Sequence, residues 1–268
     1  MSRRARLDAE LVRRGLARSR DHAAELIAAG RVTLRGTVAQ KPATAVDADA
    51  PVVVRTDADD PNYASRGAHK LVGALDEFGI AIEGRRCLDA GASTGGFTDV
   101  LLRRGAAVVV AADVGRGLLD WRLRTDDRVI VHDRTNVRSL TPQDIGGPVD
   151  LVVADLSFIS LTLVLPALVA CSTEDADLLP MVKPQFEVGR ERLGAGGVVR
   201  DPDQRADAVL TVITKAGALG LAPRGVVASP LPGPSGNVEY FVWFRRGDQP
   251  RPDHVAEMVG AAVRKGPQ

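Results

Sequence analysis

The sequence predicts an α/β protein: a doubly wound, mostly parallel sheet of seven strands whose last strand runs antiparallel, preceded by a small α+β module. Three observations carry this expectation. Strand-like apolar runs alternate with helical stretches from residue 86 onward, a glycine-rich loop follows the first of those strands, and positive charge is concentrated ahead of them. Within residues 1–41 ten basic residues (Arg3, Arg4, Arg6, Arg13, Arg14, Arg18, Arg20, Arg31, Arg35, Lys41) face four acidic ones (Asp8, Glu10, Asp21, Glu25), although over all 268 residues Lys plus Arg number 35 against 34 Asp plus Glu. Net charge therefore announces no nucleic-acid partner, whereas its distribution does.

In the first module, Leu7, Leu11, Val12 and Leu16 share one face of a helix over residues 7–16. Ser19 is a candidate N-cap for a second helix, residues 20–29, that ends at Gly30. Val32, Leu34, a turn at Gly36, Val38 and then Val52-Val53-Val54 read as short strands. The acidic, proline-broken segment TDADDPN (56–62) has the composition of a linker and divides the chain into residues 1–60 and 61–268. Arginines on the two helices are expected to contact phosphates; for any one of them a solvated helix face is the plainer account.

In the second part, strands are expected at 86–90, 107–113, 129–132, 150–155, 177–183, 225–229 and 238–244, with helices between most of them. The last two are joined by the short loop 230–237, so the final strand should run antiparallel to its neighbour. Cys87 and Cys171 lie in apolar contexts without Cys or His at zinc-ligand spacing, so buried thiols and no metal are expected. The arginine-rich start leads into an amphipathic segment, and the apolar stretches 106–112 and 159–171 are too short or too interrupted to span a bilayer. A cytoplasmic monomer without a membrane partner is the expectation.

The strand Cys87-Leu88-Asp89-Ala90 runs into Gly91-Ala92-Ser93-Thr94-Gly95-Gly96-Phe97 and a helix. Backbone N–H groups at such a strand-to-helix turn suit a nucleotide-like ligand. Three readings compete. Gly91-x-Ser93-x-x-Gly96 is one substitution from the dinucleotide fingerprint, with Asp113 where a ribose-binding acid would fall. Gly91-x-Ser93-x-Gly95 matches a hydrolase nucleophile elbow, but Ser93 follows the first strand of its domain, and the histidine would have to be His254 in a proline-flanked tail. S-adenosylmethionine is favoured over NAD by Asp89, an acid just before the turn that can take a methionine amino group. By itself the loop does not choose between a methyltransferase and other nucleotide-binding enzymes.

Four charged residues add to it. Asp155, Lys183 and Glu239 stand at the ends of expected strands, where a doubly wound sheet assembles its site, and Lys70 lies just ahead of a helix. Charges butted against apolar strands must reach solvent or find partners, so these four could satisfy one another as a purely structural ion-pair network. They could equally serve methyl transfer to a hydroxyl, which needs alignment of the acceptor and removal of its proton. Lys183 is the candidate base, since desolvation and a neighbouring cation, Lys70, favour a neutral amine while Asp155 and Glu239 orient it and oppose that change.

Taken together, the motifs resemble the TlyA family of ribosomal RNA ribose methyltransferases, with a catalytic half similar to the FtsJ class. The residues Arg6-Leu7-Asp8-x-x-Leu11, Gly15-Leu16-x-x-Ser19-Arg20, Gly30-x-Val32 and Lys41-Pro42 look like an S4 RNA-binding domain; SRGAHKL (65–71), LDAGASTGGFT (88–98), VVADLSFIS (152–160), VKPQFEVG (182–189) and SPLPGPSGNVEYF (229–241) look like the catalytic blocks. The resemblance implies a Rossmann-like S-adenosylmethionine-dependent domain that methylates the ribose 2′-hydroxyl of cytidine in 16S and/or 23S ribosomal RNA within ribosomal subunits. Lys70, Asp155, Lys183 and Glu239 match the family's catalytic set. Asp89, Gly91, Ser93, Gly95 and Gly96 would hold the cofactor, with Asp113 at its ribose and Asp133 to Asn136 near the adenine. Arg4, Arg6, Arg18, Arg20, Lys41 and Arg66 would bind RNA, and Phe158 would border a flipped nucleotide. Thr94 departs from the proline that many such loops carry. Two rival classes remain: members of the family have been called haemolysins, and a non-catalytic assembly factor could keep the fold.

Overall fold

The structure, a computed structural model, describes residues 4–17, 20–55, 62–233 and 235–266. The chain divides into two compact units, residues 1–62 and 63–268, against the 60/61 division expected from linker composition.

The first unit contains β1 (Ala5–Arg6), α1 (Leu7–Arg13), α2 (Arg20–Ala28), β2 (Val32–Leu34), β3 (Thr37–Val38), β4 (Ala45–Val46) and β5 (Val52–Val54). Strand β2 pairs antiparallel with β3 and β5, and β1 with β4. The apolar face read from sequence closes a small core: Leu7 and Leu11 pack with Leu26, Ile27, Val32 and Val46. Helix α1 is shorter than the expected 7–16, because the Leu16 amide turns back to donate to the Leu11 carbonyl at 2.8 Å. The two-residue strands β1 and β4 are too short to leave a periodicity in sequence. The proposed cap Ser19 lies outside the described residues.

In the second unit α3 (Gly67–Phe78) precedes β6 (Arg86–Ala90), α4 (Gly96–Arg103), β7 (Val108–Ala112), α5 (Trp121–Arg124), β8 (Val129–His132), β9 (Val149–Ala154), α6 (Leu161–Ala170) and β10 (Ser172–Val182). The short α7 (Pro184–Glu187), α8 (Pro202–Gly217), β11 (Leu221–Ala228), β12 (Tyr240–Arg246) and α9 (Pro252–Lys265) complete it. Among the described residues one seven-stranded sheet forms, in the order β11-β12-β10-β9-β6-β7-β8. All neighbours are parallel except around β12, which runs antiparallel to both β10 and β11.

Strands buried on both faces explain their near-continuous apolar runs. Leu88, Val110, Val152, Leu178 and Val242 face one side, where α6, α8 and α9 pack; Cys87, Val109, Leu151, Leu179 and Phe241 alternate to the other, beneath α3 and α4. Both cysteines are free and buried, and burial pushes their thiols up to about 12 at Cys87 and about 11 at Cys171. Strand β10 begins well before the expected residue 177, across a register shift between Ser172 and Asp177, because its polar Thr173-Glu174-Asp175 start carries no apolar signal. No helix among the described residues is long and apolar enough to cross a membrane.

Candidate active site

The chain winds outward from β6 through β7 to β8 and then returns to place β9 on the other side of β6, so the carboxyl ends of β6 and β9 form the switch point of the sheet. Here the backbones nearly touch. The Asp155 amide donates to the Ala90 carbonyl at 3.0 Å, and a Cβ at Gly91 (φ +88°) would lie 2.5 Å from the Asp155 carbonyl oxygen. Only glycine fits a left-handed position that close to another backbone. Gly95 (φ +95°) faces Leu119 and Leu123 with no room for a side chain, and Gly96 opens α4 against Ser65.

Ser93 holds a left-handed conformation (φ +48°), with its amide donating to Asp113 Oδ2 at 2.9 Å while Asp113 Oδ1 accepts from the Gly115 amide at 2.7 Å. Asp113 thus ties the glycine loop to the segment after β7. Asp89 is fully buried; Oδ2 accepts from Thr98 Oγ1 at 2.7 Å and Oδ1 has no donor. Burial pushes the Asp89 carboxyl up to about 7, with Asp155 adding repulsion, against the Thr98 hydrogen bond that favours its charge.

The four charged residues meet. Lys183 Nζ lies 2.6 Å from Asp155 Oδ1 and 3.9 Å from Glu239 Oε1, and donates to Ser157 Oγ at 3.0 Å. Lys70 Nζ donates to the other Glu239 oxygen at 2.5 Å. Glu239 is fully buried, both lysines are buried, and the Asp155 side chain keeps 25% of its surface open. Lys70 stands inside the first turn of α3 rather than ahead of the helix, while Asp155, Lys183 and Glu239 sit one residue outside β9, β10 and β12. The arrangement is a row, carboxylate–ammonium–carboxylate–ammonium, with the Asp155 end open.

That end faces a cavity of about 420 Å³ lined by Gly91, Ser93, Asp113, Asn136, Asp155 and Ser157, with apolar Val114, Leu118, Phe158 and Ile159. Phe158 is 92% exposed, adopts a left-handed conformation (φ +63°) rare for a bulky residue, and lies against Phe186 with ring centroids 5.4 Å apart. Of the pair expected at the adenine end, Asn136 lines the cavity and Asp133 does not: Asp133 pairs with Arg124 at 2.8 Å, which holds its carboxyl below the usual range. No group of three or more His, Cys, Asp or Glu among the described residues could hold a metal.

The basic residues of the first unit are more heavily paired than a charge count suggests. Buried Asp8 takes both Arg6 (2.8 Å) and Arg20 (3.1 Å), and buried Glu10 takes Arg13 (2.5 Å) and Arg14 (2.7 Å). Arg4 pairs with Asp47 at 3.2 Å. Except at Arg14 (20%), these arginine side chains nonetheless keep much of their surface open, as at Arg6 (51%) and Arg20 (59%), and Lys41 is exposed. Arg66 is exposed at the start of α3; Arg18 lies outside the described residues.

Comparison with known families gives two matches: an FtsJ-like methyltransferase over residues 63–246 and an S4 domain over residues 5–52. The chain is 67% identical over 245 residues to the 16S/23S rRNA (cytidine-2′-O)-methyltransferase TlyA of Mycobacterium tuberculosis, covering 91% of each chain. The chain belongs to the TlyA family of FtsJ-like methyltransferases. It is also 36% identical to Hemolysin A of Brachyspira hyodysenteriae, over 89% of this chain and 99% of that one. A solved structure bearing the hemolysin label, from Streptococcus thermophilus, superposes with a TM-score of 0.77 at 35% identity over 99% of this chain and 98% of that one.

Within this TlyA-family site, several contributors are invisible to motif reading. Thr98, in the first turn of α4, holds Asp89; Ser157 touches Lys183; Phe186 and Glu187 touch the loop after β9. Ser157, Phe186 and Glu187 fall inside family-like strings but carry no chemistry of their own in sequence. Only the adjacency of β9 and β10 brings them together.

Proposed function

We infer that this chain uses S-adenosylmethionine to methylate the ribose 2′-hydroxyl of cytidine in ribosomal RNA, the activity named for its Mycobacterium tuberculosis relative. The observation that carries the reading is Lys183, 2.6 Å from Asp155, which lines one cavity together with Gly91 and Ser93 of the glycine loop.

The residues fit the cofactor. The buried Asp89 Oδ1 lacks a donor, which suits an ammonium group; the glycine loop leaves backbone where side chains would intrude; and Val114, Leu118 and Val137 offer apolar surface for a purine. When bound, S-adenosylmethionine supplies a methyl group on a cationic sulfur, so little activation of the donor is asked of the protein. The chain's residues align the acceptor and handle its proton. Lys183, in its neutral form, takes the hydroxyl proton; Asp155 and Ser157 fix the direction of its amine, and Glu239, anchored by Lys70, closes the row from behind. Phe158 offers a face for the base of a nucleotide drawn out of its stack. The S4 unit docks on phosphates through Arg4, Arg6, Arg20 and Lys41. Action on ribosomes puts the protein in the cytoplasm.

The hemolysin name of some relatives leaves this reading in place, since one fold hosts several activities and the function follows the site. Incubation with methyl-labelled S-adenosylmethionine and ribosomal subunits from a strain lacking this chain tests it. Label in the RNA is expected; binding of S-adenosylmethionine without transfer to either subunit would contradict it.

A further inference from the structure

The loop after β9 and the turn after β10 meet residue by residue. Asp155 and Ser157 meet Lys183, Phe158 meets Phe186, and Ser160 with Leu161 meets Glu187. The last contact is the firmest: Ser160 Oγ donates to Glu187 Oε2 at 2.5 Å and the Leu161 amide donates to Glu187 Oε1 at 2.8 Å. Both carboxylate oxygens are thus engaged at the start of α6, where amides would otherwise be unpaired.

Between these fixed points sits Phe158, in a conformation its side chain disfavours and with its ring almost wholly in solvent. Burial does not hold it there. A strained residue persists only where its surroundings over-determine it. The constraints on its carboxyl side run through Ser160 and Leu161 to Glu187, and those on its amino side through Ser157 to Lys183.

We propose that Glu187 is a positioning residue for methyl transfer: by clamping Ser160 and Leu161 it sets both the pose of Phe158 at the cavity rim and the Ser157 contact that orients Lys183. The proposal rests on the function inferred above. Glu187 itself neither lines the cavity nor pairs with the lysine–carboxylate row, so its effect reaches the reaction indirectly, through the loop that it clamps and through α7, which Lys183 caps. Burial pushes its carboxyl above the ordinary range, and the hydrogen bonds from Ser160 and Leu161 oppose that shift.

The test is steady-state methyl transfer by the full chain to ribosomal subunits from a strain lacking it, together with S-adenosylmethionine affinity by calorimetry and a melting curve. Glu187→Ala should lower kcat by about 10- to 100-fold, the scale of a misplacement of roughly an ångström, with the affinity for S-adenosylmethionine unchanged. Glu187→Gln should restore most of that loss, since its amide can accept from Leu161 and donate to Ser160, whose own proton can turn to Thr162 Oγ1 at 2.7 Å. Wild-type kcat in Glu187→Ala overturns the proposal, as does Glu187→Gln being equally impaired. If Glu187→Ala does not fold, Ser160→Ala decides: a lowered kcat with intact cofactor affinity supports the clamp, and an unchanged kcat overturns it. A wild-type protein that transfers no methyl group counts instead against the function itself.

Discussion

The Lys183 ammonium lies 2.6 Å from the Asp155 carboxylate because β9 and β10 are parallel neighbours, with Ala154 opposite Pro180 in register. Each residue follows its strand directly, so the sheet delivers both groups to the same edge. Removing the amine should abolish proton acceptance while leaving the glycine loop intact. Lys183→Ala is expected to lower kcat by about 10²- to 10⁴-fold, measured by label transfer to RNA, with S-adenosylmethionine affinity within about twofold of wild type. A parallel loss of cofactor affinity would mean that Lys183 holds the cofactor rather than the proton.

Asp89 gives a pH dependence with a definite sign. Its folded carboxyl titrates at about 7, whereas an unfolded aspartate titrates near ~3.9. The folded state therefore binds the extra proton, so this group's stabilising contribution is complete below about pH 4 and is lost as pH rises toward 7. Denaturation curves over that window should show Asp89→Asn with a flatter pH dependence than wild type. Because an ammonium group favours the ionised carboxylate, binding of S-adenosylmethionine should tighten over the same window and release a proton.

Gly91→Ala would put a methyl group 2.5 Å from the Asp155 carbonyl oxygen in a left-handed backbone. It is expected to cost about 1–3 kcal/mol or more in stability, read from denaturant melts, and to abolish cofactor binding by parting β6 from β9. Gly15→Ala is a useful control: it is also left-handed, but nothing lies within 4 Å of the added methyl, so only the backbone strain remains.

Arg4 and Lys41 lie on the surface of the S4 unit. Replacing either with alanine should weaken RNA binding without changing which nucleotide is methylated. It should also reduce the slope of log K against log salt by about 0.7–0.9 for each phosphate left without its cationic partner. Filter binding over a salt series measures this.

Much of the architecture is legible because buried parallel strands leave continuous apolar runs, and because charged residues directly after such runs mark the sheet edge. Glu239 and Lys70 illustrate the limit: they are far apart in sequence, and only the fold shows that one carboxylate serves both lysines. Asp133 does not reach the cavity because Arg124, nine positions earlier, claims it, a local pairing no motif encodes. A charge count presents the basic front as free, whereas Asp8 and Glu10 are buried beneath Arg6, Arg20, Arg13 and Arg14. Glu187 and Ser157 are silent in sequence because their importance lies in what touches them.

The most direct measurement is nucleoside mass spectrometry of ribosomal RNA after reaction with the purified chain and S-adenosylmethionine. The new product should be 2′-O-methylcytidine, formed by wild type and missing with Lys183→Ala. A methyl group on the cytosine base, or equal product from the lysine variant, would contradict the assignment of this pocket.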